Sequence, residues 1–96
     1  MAQGEVVSDI ASLTAAGQTY DIRPAAGVEW IIHNIYFSKG IEIFRYNGSS
    51  LIPLRTFADF GQWEWLDFHL ANGNYIRLRS IRSGTTKVGF DGVQTK

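Results

Sequence analysis

Three features of the chain predict an all-β fold: short apolar runs rich in Ile and aromatic residues, turn signals at close intervals, and no sustained helical period. The expected architecture is a single small β-sandwich or jelly roll of about seven strands behind an extended N-terminal arm. Met1 to Ala16 is small and polar, with Val6, Val7, Ile10 and Leu13 scattered through it and Glu5 and Asp9 uncompensated by any base. It reads as an arm, structured at most as a helical turn or an edge strand, and residues 17–96 read as the sandwich domain. Gln18 to Arg23 alternates Tyr20 and Ile22 against polar neighbours, and Pro24, which lacks an N–H, ends the pairing.

Val28 to Phe37 follows, with seven apolar side chains in ten residues. Strict alternation puts Trp30, Ile32 and Tyr36 on one face and Ile31, Ile35 and Phe37 on the other. A domain this small builds one core, so the second face is expected against another subunit, and all six residues are candidate interface residues. The turn signals Lys39-Gly40, Asn47-Gly48, Asp59-Phe60-Gly61, Asn72-Gly73, Ser83-Gly84 and Asp91-Gly92 then divide the remainder. Between them lie strands expected at Ile41 to Tyr46, Ser50 to Phe57, Gln62 to Leu70, Tyr75 to Ile81 and Thr85 to Phe90.

Composition narrows the function. The 96 residues are 45% hydrophobic and 14% aromatic, a globular and adhesive inventory, while nine basic and nine acidic residues cancel. Without net positive charge, nucleic-acid binding loses its usual driving force and is not expected. No cysteine is present to form a disulfide or a thiolate metal site. No run approaches the roughly 18 apolar residues of a membrane-spanning helix, so no membrane partner is expected.

Catalytic signatures are not found either. There is no Gly-x-Ser-x-Gly elbow, no His-x-x-x-His, no calcium loop and no glycine-rich phosphate loop, and Gly84-Thr85-Thr86-Lys87 reads as a hairpin turn. His33 falls in the most apolar strand and reads as a buried histidine bonded to backbone. His69 with Asp67 is a lone pair at strand spacing, too few ligands for a metal. No catalytic residue, metal or cofactor is therefore expected. Trp63 and Trp65, two apart, share a strand face; they form either a strip for stacking sugar rings or part of a core or subunit contact. Arg77 and Arg79 share the face opposite Ile76 and Leu78, either as a solvated surface or as a dock for an acidic arm or partner.

The segment Ala15-Ala16-Gly17-Gln18-Thr19-Tyr20-Asp21-Ile22-Arg23-Pro24-Ala25-Ala26-Gly27-Val28-Glu29-Trp30 continues through Tyr36, and the chain closes with Val88-Gly89-Phe90-Asp91-Gly92-Val93. In these two stretches, residues 15–37 and 85–93, it resembles small virion proteins of tailed bacteriophages. The resemblance implies a β-sandwich or jelly roll that decorates and reinforces the capsid as a cement protein, often as a trimer. The implied partners are copies of itself and the major capsid or another virion protein, in a virion assembled in the host cytoplasm. A tail or baseplate component, or a carbohydrate-binding receptor module using Trp63 and Trp65, is the alternative. The family offers no catalytic residue to carry over.

Overall fold

The computed structural model describes residues 4–64 and 66–96. Among the described residues there are nine strands and no helix: β1 (Val6–Leu13), β2 (Thr19–Ile22), β3 (Glu29–Phe37), β4 (Ile41–Tyr46), β5 (Leu51–Phe57), β6 (Gly61–Trp63), β7 (Phe68–Ala71), β8 (Tyr75–Ser80) and β9 (Thr86–Gln94). One sheet runs β1-β9-β3-β6, with β7 beside β6 on the same edge of β3, and the other runs β2-β8-β4-β5. Every pairing is antiparallel. Counting β6 and β7 as one interrupted strand, successive strands alternate between sheets except at the β4–β5 hairpin. That is the strand order of an eight-stranded jelly roll.

Alternation fills the space between the sheets. Ile22, Ile32, Ile35, Ile41, Ile43, Ile76 and Leu78 are fully buried, and Val7, Leu13, Phe37, Leu70, Val88 and Phe90 complete the core. Residues paired directly across a ladder point the same way, so Trp30 with Leu70 and Ile32 with Phe68 face inward while Ile31 with His69 faces out.

Several expectations change. The segment expected as an arm over residues 1–16 takes, over Val6–Leu13, the edge-strand form of the two expected, but as an integral strand in full register with β9, from Val6 opposite Val93 to Leu13 opposite Thr86. Its inward positions Val7 and Leu13 are 1% and 4% exposed, so it contributes to the core. The strand expected at Gln62 to Leu70 is two strands, because Leu66 turns back to bond His33 through its N–H at 2.9 Å. Asp91-Gly92 is not a turn: it lies within β9, where Gly92 passes against β3 so closely that a Cβ would lie 2.9 Å from Ile32 Cα.

The strict alternation expected along Val28 to Phe37 also fails, because β3 carries a bulge. Ile32 pairs with Gly92 and Asn34 with Asp91, leaving His33 without a partner on β9. The phase shifts by one residue, so Trp30, Ile32, Ile35 and Phe37 all face the core and Ile31, Asn34 and Tyr36 face outward.

Candidate functional site: two outer faces and an open edge

Of the six candidate interface residues on this strand, Ile32, Ile35 and Phe37 are core side chains, 0%, 0% and 5% exposed, and are unavailable to a partner. Trp30 is half-buried and stacks on Phe90, centroids 5.6 Å apart. Its indole Nε1 is buried with no hydrogen-bond partner. Ile31 and Tyr36 remain on the outer face. There, Asp91 accepts a hydrogen bond from Asn34 Nδ2 at 2.8 Å and another from the Tyr36 hydroxyl. That bond to the Asp91 carboxylate, helped by partial burial, pushes the Tyr36 phenol above its ordinary range. Tyr20 is raised too, first by burial and then by donating to Asp9 Oδ2 at 2.8 Å.

Trp63 lies in an aromatic ladder that closes the sandwich between β5 and β6. Phe37 to Phe57, Phe57 to Trp63 and Trp63 to Phe68 have centroid distances of 4.7, 5.8 and 5.5 Å. The Arg55 guanidinium caps it, 4.9 Å from the Phe57 ring and 5.8 Å from Trp63. Trp63 therefore does not stand out as a sugar platform. Trp65 lies outside the described residues. His33 is exposed rather than buried; its Nδ1 lies 3.2 Å from the Leu66 carbonyl, which makes that nitrogen the donor.

Arg77 and Arg79 do share the outer face of the second sheet, and their acids come from flanking strands of the same chain. Arg77 makes a two-pronged pair with Asp21, at 2.8 and 3.2 Å, and covers the Tyr46 ring at 4.8 Å. Its bond to Asp21 raises the guanidinium pKa further. Arg79 reaches Glu42 at 3.1 Å and lies 6.0 Å from the Phe44 ring. Each of the two cations thus has an acid of its own chain beside it.

The least covered apolar surface is elsewhere, and sequence reasoning did not single it out. On β5, Leu51, Ile52 and Leu54 are 45%, 57% and 39% exposed, and Phe60 in the following turn is 74% exposed. Ile52 pairs with Arg45, which pairs with the core residue Ile76, so Ile52 faces the gap between the sheets. It is nevertheless open to solvent, on the strand that forms the free edge of its sheet. A second apolar area lies on β1, where Val6 and Ile10 are 69% and 75% exposed. The available signal was Leu51-Ile52-Pro53-Leu54: a proline within an apolar run marks an edge strand.

The architecture has solved counterparts. The nucleoplasmin-like N-terminal domain of Drosophila FKBP39 matches all of this chain over 95% of its own length, with a TM-score of 0.60 and 11% identity. The Drosophila NLP-core, described in terms of pentamer formation and histone binding, matches 94% of this chain over 99% of its own, with a TM-score of 0.53 and 16% identity. At these identities the likeness shows the fold alone, a jelly-roll β-sandwich. No family model and no curated protein matches the chain.

Proposed function

We propose that the protein is a structural module, not a catalyst, which associates with copies of itself and coats a larger particle, in the first instance a phage capsid. The observation that carries this reading is the uncovered apolar surface on two separate strands, Val6 and Ile10 on β1 and Leu51, Ile52 and Leu54 on β5 with Phe60 beyond it. Both β1 and β5 are sheet edges, where unpaired backbone and exposed apolar side chains favour association with another chain. Pentamer formation by the Drosophila NLP-core supports the use of this fold for self-association. The resemblance of residues 15–37 and 85–93 is to virion proteins of head and tail alike; the shortness of the chain and the lack of a fibrous repeat suited to a tail shaft favour the capsid.

Light scattering across a concentration series tests the first step; the expected result is a mass that is a whole-number multiple of 10.8 kDa, and that number decides between the expected trimer and a larger ring. Cosedimentation with empty phage heads and, separately, with isolated tails tests the second. A monomer at all concentrations would end the reading, and binding to tails alone would move the module from head to tail.

A further inference from the structure

On the outer face of the first sheet, Gly89 lies between Ile10 of β1 and Tyr36 of β3 as the register partner of both. Because Gly89 has no side chain, a groove of about 300 Å³ opens there, walled by Ile10 and Tyr36 and bounded at one end by Gly61, with Lys87 the only charged residue lining it among the described residues. The absence is enforced: a Cβ on Gly89 would lie 2.8 Å from the Asp9 carbonyl and 3.2 Å from Ile10 Cγ1. The groove is apolar and large enough for one aromatic ring, since a cavity of about 150 Å³ already accepts benzene.

The same chain carries a matching projection. Phe60, 74% exposed, stands at the tip of the β5–β6 turn, its N–H bonded to Asp59 Oδ1 at 2.8 Å. Phe60 precedes Gly61, a residue of the groove itself, yet its ring remains in solvent and so does not fill its own groove. The charges correspond as well. Asp59 flanks the ring and Lys87 flanks the groove, and among the described residues neither has an ion-pair partner.

Resting on the self-association proposed above, we infer that Phe60 of one copy seats in the Ile10–Tyr36–Gly89 groove of a second copy, with Asp59 facing the second copy's Lys87. The two surfaces differ, so every copy presents one of each, as either a closed ring or a reciprocal pair requires. An aromatic anchor in an apolar pocket with a complementary charge at the rim is the arrangement that concentrates binding energy at interfaces.

The test uses the full chain and substitutions at exposed positions that leave the core intact, with circular dichroism to confirm folding. Phe60→Ser removes the projection and Ile10→Lys obstructs the groove; each alone is expected to reduce the mass to that of one chain, and mixing the two is expected to form a mixed species, since one intact contact remains between them. Lys87→Glu should weaken association by roughly tenfold or more, because like charges then meet across the contact, and adding Asp59→Lys should restore it. If the wild type is a monomer, the proposed self-association fails and this contact with it. If the wild type assembles but Phe60→Ser and Ile10→Lys keep its mass, or if the folded variants fail to combine on mixing, self-association stands and this contact is wrong.

Discussion

Deleting His33 should leave the protein folded, although it lies in the middle of the central strand of the first sheet. A one-residue deletion in a strand ordinarily moves every following side chain to the opposite face. Here the deleted residue is the one that β9 skips: Ile32 pairs with Gly92 and Asn34 with Asp91, which are already adjacent. Without His33 the strand would read Trp30 in, Ile31 out, Ile32 in, Asn34 out, Ile35 in, Tyr36 out, Phe37 in, the arrangement now observed. The losses are the Leu66 N–H to His33 carbonyl bond at 2.9 Å and the imidazole contact to the Leu66 carbonyl at 3.2 Å. At about 0.5 to 1.5 kcal/mol each, the cost is about 1 to 3 kcal/mol, within the roughly 5 to 15 kcal/mol of an ordinary domain. Deleting Ile31 instead is the control. It places Glu29 where Trp30 stacks on Phe90, which costs about 3 to 5 kcal/mol for the lost indole alone, plus the burial of a carboxylate. Urea unfolding followed by tryptophan fluorescence compares the two. A His33 deletion that is unfolded, or less stable than the Ile31 deletion, would refute the assigned bulge.

Three further outcomes follow from particular contacts. Trp30→Phe should change stability by less than about 1 kcal/mol in thermal unfolding, because it keeps the ring against Phe90 while removing an indole N–H that is buried without a partner; a loss above about 2 kcal/mol would mean that the N–H is satisfied. Gly92→Ala should cost about 3 kcal/mol or more, lowering the melting temperature by at least about 12 °C, because its Cβ would meet the Ile31 and Ile32 backbone on a neighbouring strand that cannot withdraw. The folded-state phenol pKa values of Tyr20 and Tyr36 are both raised, so the neutral form is favoured in the fold. The stability this supplies is complete below about pH 10, where a free tyrosine titrates, and is lost as pH rises through the folded values. The urea midpoint should fall above pH 10, less steeply in Tyr20→Phe/Tyr36→Phe, and equal slopes would contradict the two carboxylate bonds.

Much of the architecture was legible because turn chemistry is local. Lys39-Gly40 and Ser83-Gly84 separate strands as read, and Asn72-Gly73 forms a two-residue turn between Ala71 and Asn74 that carries the chain from one sheet to the other. Asp91-Gly92 misled because the same dipeptide also serves where a strand backbone passes close to another, and composition does not separate the two uses. The bulge was missed because an apolar residue on either phase satisfies alternation. Its trace was the adjacent polar pair His33-Asn34, which a regular two-sided strand does not explain. β1 was underread because Asp9 interrupts the inward series Val7, Ala11, Leu13; that carboxylate is accounted for by Tyr20 on the other sheet, a partner no local pattern shows. The surfaces were hardest to read, since Arg77 and Arg79 look unpaired until Asp21 and Glu42 are brought beside them from other strands.

The hydrogen bonds that join Gly4 to Gln94, Gln94 to Glu5 and Glu29 to Lys96 bring the first and last described residues to one pole of the molecule. The turns holding Gly40, Phe60 and Gly84 lie beyond the far end of β3, at the opposite pole. Cargo joined at Gly4 or at Lys96 would start on the same side and leave the far turns unobstructed. A short linker from Lys96 to Gly4 would thus leave those distant turns as the places to open a permuted chain.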